Sequence, residues 1–120
     1  MTKKFRIVSV GMEDRNTQVL KQLLTIYANH LDGDWEYLGN FAAEQVIATM
    51  GSGLDDAHVK LIDTDSELGR RAWYFLQAMD DDDSLIELTN TPQPVSYRLV
   101  TKPLTLNIES LISMLRTYRC

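Results

Sequence analysis

The sequence predicts an α/β fold in which helices cover both faces of a parallel β-sheet. Short β-rich runs alternate with segments whose apolar residues recur at three and four positions, the period of an amphipathic helix. The central β-rich runs are almost continuously apolar, which is typical of strands buried on both faces. The chain has 120 residues, the size of one domain, which we predict to span 1–120.

Five β-rich runs bounded by turn residues predict five strands. Gly11 ends the first run, and the turn signal Asp32-Gly33-Asp34 precedes the second. Lys60 alone interrupts the apolar run of the third strand. The predicted strands lie at 5–10, 35–38, 59–62, 85–88 and 97–101.

Four segments with helical periodicity predict four helices between and after these strands. Asn16 or Thr17 can cap the first helix and Asn40 the second, because short polar side chains accept backbone N–H groups at helix starts. The apolar pattern places Met50 on the inward face of the second helix and Leu68 on that of the third. The predicted helices lie near 17–30, 41–50, 66–79 and 106–118.

The connection between the fourth and fifth strands departs from the regular alternation. Pro92 and Pro94 exclude an ordinary helix within 90–96, whereas a parallel crossover usually needs about a dozen residues. We therefore expect the helix at this place to be missing or shortened, and an antiparallel fifth strand is the less favoured alternative. For five strands with right-handed crossovers, the flavodoxin-like order 2-1-3-4-5 is the common small solution.

Composition and charge exclude several classes of function. A net charge of −5 argues against a nucleic-acid-binding surface. No apolar run approaches the roughly 20 residues of a membrane span, so we expect no membrane insertion. The single cysteine, Cys120, cannot form an internal disulfide and suits a reducing compartment. We therefore expect a cytoplasmic protein.

Three polar residues lie where successive strands end. Asp63 follows the third strand, Thr89 the fourth, and Lys102 the fifth, and Lys102 is followed by Pro103 and the last helix. The carboxyl ends of parallel strands share one edge of the sheet, where ligands and reactive groups gather. This order resembles the receiver domains of bacterial response regulators of the chemotaxis-regulator type, over nearly the whole chain.

The resemblance implies a role for each of these residues. Asp63 would accept a phosphoryl group, and Thr89 and Lys102 would bind the product. In receivers an acidic pair after the first strand holds Mg²⁺, which neutralises charge on the phosphoryl oxygens. A carboxylate nucleophile needs that help to attack a phosphoryl group.

The acidic pair of receivers is absent from its usual place. Gly11-Met12 follows the first strand, and Glu13 and Asp14 lie one turn too far along to reach Mg²⁺ without a shifted loop. The usual aromatic residue three positions before the lysine is Leu99 here. The chain therefore resembles an atypical receiver or pseudo-receiver. We expect no enzymatic activity, no metal ion and no cofactor.

The leading hypothesis is a signal-transduction interaction module that binds a partner protein, a kinase or an output domain, with little or no phosphorylation. Asp63 would then simply pair with Lys102, because buried charges are usually paired. One alternative is a working receiver of a two-component system that uses Asp63, with Mg²⁺ held by Glu13 or Asp14. Another is a small-molecule-binding domain at the strand-end crevice. A homodimer is a further candidate assembly.

Two surfaces are candidates for binding the partner. One is the face of the fifth strand, because a sheet edge without the fourth helix needs covering. The other is the third helix, where aromatic rings lie beside an arginine, a combination enriched in interface hot spots. We favour the first surface. Its residues are Tyr97, Arg98 and Leu99, and those of the second are Arg70, Trp73 and Tyr74.

Overall fold

A parallel five-stranded sheet forms the centre of the molecule. The computed structural model describes residues 4–27, 34–51, 54, 57–79, 85–90, 99–101 and 108–117. The strand order is β2-β1-β3-β4-β5 and every neighbouring pair is parallel, which confirms the predicted flavodoxin-like sheet. The strands are β1 (Lys4–Val10), β2 (Asp34–Phe41), β3 (Val59–Asp63), β4 (Leu85–Thr89) and β5 (Leu99–Thr101). The helices are α1 (Asp14–Ile26), α2 (Ala43–Ala48), α3 (Glu67–Met79) and α4 (Ile108–Thr117).

Each face of the sheet carries its own apolar core, because side chains along a strand alternate between the two faces. Leu61 of β3 packs with residues of α1 and α4, and the next residue, Ile62, packs with residues of α2 and α3. Every residue of β3 and β4 is buried, as their apolar runs predict. Burying one such Leu or Ile side chain contributes about 1.5–3 kcal/mol, so these two strands supply much of the apolar burial.

The first two helices do not begin at their predicted caps. Helix α1 begins at Asp14, Glu13 occupies the cap position without a side-chain hydrogen bond, and Asn16 is buried inside the first turn. Helix α2 begins at Ala43 because β2 continues through Asn40 to Phe41. The predicted capping roles of Asn16, or its alternative Thr17, and of Asn40 were therefore wrong. Asn40 serves a different function, described below.

Helix α2 ends in a Schellman motif with a methionine at the left-handed position. The Gly51 N–H donates to the Val46 carbonyl at 2.9 Å, and the Met50 N–H donates to the Ile47 carbonyl at 3.2 Å. Met50 has φ +56°. Its side chain is 64% exposed, so the prediction that it faces the core was wrong. The motif reverses the chain and turns this side chain towards solvent.

The inward face of α3 is set by Gly69. A Cβ atom built on Gly69 would overlap the carbonyl oxygen of Asp63, so only glycine permits this close approach of helix to strand. Ala72 and Leu76 follow on the same buried face. Leu68 was predicted to point inward and is 42% exposed. The rest of the predicted face holds, since Ala72 and Leu76 are buried and Phe75 packs against the core, and Gly69 takes the inward position in place of Leu68.

The predicted loss of a helix between the fourth and fifth strands falls on 91–98, outside the described residues. The fifth strand itself runs parallel to β4, with Leu88 paired to Val100. Among the described residues, no helix combines the length and apolar composition that a membrane span requires.

Candidate functional site

Asp63 and Thr89 end neighbouring strands, as the sequence predicts. Asp63 is the last residue of β3, and Thr89 is the last residue of β4. The Asp63 side chain is 4% exposed, and its Oδ1 accepts the backbone N–H of Asp65 at 3.0 Å. Lys102, the third residue of the predicted constellation, lies outside the described residues.

The hydroxyl of Thr89 is held by Asp65, a residue that the sequence analysis did not assign to the site. Thr89 Oγ1 donates to Asp65 Oδ1 at 2.5 Å. The backbone N–H of Asn90 donates to both carboxylate oxygens of Asp65, at 3.1 and 3.0 Å. Hydrogen bonds to a carboxylate are roughly twice as strong as neutral ones. Asp65 therefore ties the start of the β3–α3 connection to the end of β4.

A second polar link joins the same two segments. The Thr64 N–H donates to the Leu88 carbonyl at 3.1 Å, and Thr64 Oγ1 donates to Glu87 Oε2 at 2.6 Å. Both Thr64 and Glu87 are buried. With Asp65 and Thr89, these residues cross-link the carboxyl ends of β3 and β4. The sequence offers one signal of this role, which is Glu87 as the polar residue within the apolar run 85–88.

Met12 occupies the place where receivers carry an acidic residue. Its side chain is 5% exposed and belongs to the core cluster beneath α1 and α4. The Met12 N–H donates to Asn40 Oδ1 at 3.0 Å, and Asn40 Nδ2 donates to the Met12 carbonyl at 3.1 Å. One side-chain amide thus satisfies both main-chain groups of Met12. The β1–α1 loop is fixed with an apolar side chain turned inward.

A β-bulge in β2 brings Asn40 to this position. The register between β1 and β2 shifts between Ile7 and Val8, where β2 contains one extra residue. Gly39 has φ +131°, a conformation that favours glycine. Because the bulge reverses the alternation of side chains, Tyr37 and Asn40 reach the same face of the sheet although they are three residues apart.

Tyr37 and Asn40 meet at the fully buried hydroxyl of Ser9. Ser9 Oγ donates to Asn40 Oδ1 at 2.8 Å, and the Tyr37 hydroxyl lies 2.5 Å from Ser9 Oγ. Since Ser9 has one hydroxyl hydrogen and gives it to Asn40, Tyr37 is the donor in the second contact. The network fixes the orientation of the Asn40 amide, and sequence reasoning missed it because the bulge has no local signature beyond Gly39.

The residues near Asp63 do not fit the magnesium site of a receiver. Glu13 and Asp14 are exposed at the start of α1, where an acidic side chain stabilises the helix dipole. Met12 offers no hard oxygen side chain of the kind Mg²⁺ prefers. Within the part of the chain that the structure describes, no group of three or more His, Cys, Asp or Glu side chains is placed to hold a metal ion.

The two predicted partner surfaces are described to different extents. On α3, Tyr74 is 67% exposed and Arg70 is exposed, while Trp73 packs partly against the core beneath α2 and α3. On the fifth strand, Leu99 is half-buried. Tyr97 and Arg98 lie outside the described residues.

No family model matches the chain, and no curated protein matches it. Among solved structures, the chain is similar to one described as a trimeric coiled-coil segment of yeast Spc42 fused to another structure. The match covers 98% of this chain and 77% of that chain, with a TM-score of 0.68 and 14% sequence identity. At this identity the likeness concerns the fold alone.

Proposed function

We propose that this protein is a signal-transduction interaction module, a degenerate receiver that binds a partner protein with little or no aspartyl phosphorylation. It would act in the cytoplasm, with a kinase or an output domain as its partner. The support comes from the fold, from the placement of Asp63 and Thr89 at neighbouring strand ends, and from the fixed state of the surrounding loops.

The observation that carries the proposal is that Met12 is buried and that its main chain is hydrogen-bonded to Asn40. A magnesium-dependent phosphoacceptor needs oxygen ligands beside the aspartate. Here the loop after β1 contributes the apolar side chain of Met12 to the core, and the Asn40 side chain forms two hydrogen bonds with the main chain of Met12. Moving Glu13 into place would require breaking these bonds and exposing Met12 to water. Exposing a fully buried methionine costs about 1.5–3 kcal/mol.

The engagement of Thr89 adds independent support. A receiver hydroxyl must be able to turn towards a phosphoryl group on the aspartate. In this chain Thr89 Oγ1 donates to Asp65, and a hydrogen bond to a charged group contributes about 1.5–3 kcal/mol. Redirecting the hydroxyl would forfeit that bond, so this edge of the sheet favours a static binding domain over a switch.

Magnesium titration followed by tryptophan fluorescence tests the proposal. The wild-type chain should show no saturable response to Mg²⁺ at millimolar concentrations. A double variant, Gly11→Asp with Met12→Asp, restores the acidic pair, and a response gained by that variant would locate the defect at this loop. A saturable response of the wild-type chain that Asp63→Asn abolishes would contradict the proposal and favour the phosphoacceptor alternative.

A further inference from the structure

We propose that the outer face of α3 binds an acidic amphipathic helix of a partner protein. Tyr74 would contact the apolar side of that helix, and Arg70 and Arg71 would pair with its carboxylates. Of the two partner surfaces that the sequence predicts, this is the second. The inference rests on the proposed function, because it names the surface and the chemistry through which the module would recognise its partner.

The phase of α3 determines which side chains form its outer face. Gly69, Ala72 and Leu76 are buried and turn one side of the helix towards the sheet. Tyr74 lies midway between Ala72 and Leu76 in the sequence, so the helical repeat places it on the opposite side. The Tyr74 side chain is 67% exposed, in agreement with this position. Tyr74 is therefore the centre of the face that α3 presents to solvent.

Arg70 and Arg71 flank Tyr74 on this face. They lie four and three residues before it, the spacings at which side chains are neighbours on a helix surface. Side chains of a helix lean towards its amino terminus, so a long side chain covers the turn that precedes it. Both arginines are exposed. The outer face of α3 thus combines an aromatic ring with two positive charges, one on each side of it.

The two arginines are available to carboxylates of a partner. Arg71 Nη2 lies 3.0 Å from Glu67 Oε1, and the two side chains are 66% and 73% exposed. Such an exposed pair is weak because water and salt screen it, so Arg71 can exchange Glu67 for another carboxylate. Among the described residues, Arg70 has no ion-pair partner. The planar guanidinium group of arginine binds a carboxylate by two parallel hydrogen bonds, which favours an acidic ligand.

Exposed apolar side chains gather in the layer that α2 and α3 form on one side of the sheet. Among the described residues, five large apolar side chains are exposed, and Met50, Leu68 and Tyr74 lie on α3 or at the end of α2. The two helices share one apolar core. Apolar residues that are exposed singly need no explanation, but three of five on one layer favour a contact surface. Tyrosine and arginine are also the residues that are enriched in interface hot spots.

An acidic helix suits this face in shape and in charge. α3 has 13 residues and is about 20 Å long, so a second helix can pack along it with its side chains between those of α3. A leucine of the partner would lie against the Tyr74 ring, and carboxylates beside that leucine would reach Arg70 and Arg71. Nucleic acid also combines negative charge with flat rings, but the net charge of −5 argues against it.

A second copy of this chain meets the arginines with neutral residues. If two α3 helices packed antiparallel about Tyr74, Arg70 of one copy would face Ala78 of the other, and Arg71 would face Gln77. Parallel packing in the same register would place the arginines of the two copies side by side, and like charges repel. An acidic segment of a different protein is therefore the favoured occupant.

A peptide titration on the full chain tests the inference. The probe is a blocked helical peptide that carries leucine along one face and glutamate on both sides of that face. Amide chemical-shift mapping detects even weak binding, and the largest shifts should fall on 67–78. Because the chain has a net charge of −5, the molecule as a whole repels an acidic peptide, so binding reports on the local charges of α3. Absence of binding, or shifts centred on α1 or β5, would overturn the inference.

A second peptide separates amphipathic recognition from charge alone. It has the same composition, with its leucine residues distributed around the helix, and it should bind more weakly by about tenfold because it offers Tyr74 no continuous apolar face. Equal affinity of the two peptides would overturn the inference.

Two pairs of variants test the named side chains. Arg70→Glu should weaken binding of the acidic peptide by about tenfold, whereas Arg116→Glu, at an exposed site of α4, should leave the affinity unchanged. Tyr74→Ala should also weaken binding by about tenfold. Its control is Ile26→Ala, which removes a side chain that is 68% exposed on α1. Equal affinities within either pair would overturn the inference.

Self-association is recognised without the peptide. If the occupant were a second copy, the shifts at 67–78 would change with protein concentration, and Tyr74→Ala would abolish that change. This result would overturn the inference.

The outcome of these experiments is separable from that of the proposed function. Absence of peptide binding would remove the outer face of α3 as the docking surface, and the module could still use the face of β5. Phosphorylation of Asp63 would overturn the proposed function whether or not the peptide binds.

Discussion

Asn40 holds Met12 by both of its main-chain groups, accepting the N–H at 3.0 Å and donating to the carbonyl at 3.1 Å. The Asn40 amide thus forms the two hydrogen bonds that the backbone of a neighbouring strand would otherwise form with Met12, at the point where the chain leaves β1. The loop that follows β1 is therefore fixed by β2. Its shape is set by packing and hydrogen bonding.

Replacing Asn40 should destabilise the fold. Asn40→Ala removes the partner of the Met12 N–H, the partner of the Met12 carbonyl and the acceptor of the buried Ser9 hydroxyl. We expect the free energy of unfolding to fall by about 1–3 kcal/mol. Urea denaturation measures it, with Asn90→Ala as the control because the two hydrogen bonds of Asn90 described above come from its backbone. Equal losses in the two variants would show that the side-chain hydrogen bonds of Asn40 contribute nothing to the free energy of unfolding.

Gly69 should tolerate no larger side chain. Gly69→Ala would drive a Cβ atom into the Asp63 carbonyl oxygen, and α3 would have to move away from β3. We expect a destabilisation of about 1–3 kcal/mol, the cost of overpacking a core. Thermal unfolding measures this change. Gln77→Ala, at an exposed site of the same helix, should stay within about 0.5 kcal/mol of wild type. A Gly69→Ala variant as stable as Gln77→Ala would refute the close approach.

Met50 is a site where glycine should stabilise the protein. A residue other than glycine at φ +56° carries a steric cost of about 1 kcal/mol, and glycine is the preferred residue at this position of a Schellman motif. Met50→Gly should therefore raise the free energy of unfolding. We expect a gain of only about 0.5–1 kcal/mol, because the greater freedom of glycine in the unfolded chain offsets part of the steric relief. Ala48→Gly, within the helix just before it, should lower stability. A loss of stability in Met50→Gly would contradict the assigned motif.

Asp65 should stabilise the carboxyl ends of β3 and β4 together. Asp65→Ala leaves Thr89 Oγ1 and the Asn90 N–H without their carboxylate partner, and we expect a loss of about 1–3 kcal/mol. Asp65→Asn keeps one oxygen acceptor and should lose less. Amide hydrogen exchange should show faster opening at Asn90 in the alanine variant. Unchanged exchange there would show that the link between the two segments is unimportant.

The sequence predicted the sheet because β3 and β4 are buried on both faces and their apolar runs are hard to mistake. Asp63 and Thr89 were placed correctly at strand ends for the same reason. The apolar runs 59–62 and 85–88 have clear ends, and these residues come directly after them. The role of Asn40 could not be predicted in this way. Asparagine before a helix resembles a cap, and only the bulge at Gly39 turns its side chain towards Ser9 and Met12.

Two other errors have a similar origin in contacts between distant residues. The apolar pattern placed Leu68 inward, but the phase of α3 is determined by the contact of Gly69 with the Asp63 carbonyl, six residues earlier on another element. The role of Asp65 was not predicted, because its partners Thr89 and Asn90 lie at the end of β4 and just beyond it. Local periodicity contains no information on either contact.

The claim that the chain keeps a receiver-like fold without the phosphorylation switch is tested most directly by intact-mass spectrometry. The full chain is incubated with a small phosphodonor and Mg²⁺, beside the Asp63→Asn variant. Both proteins should keep their unmodified mass. An acyl phosphate on the wild-type chain that is absent from Asp63→Asn would contradict it, and would show that the Met12 loop rearranges to admit the metal ion.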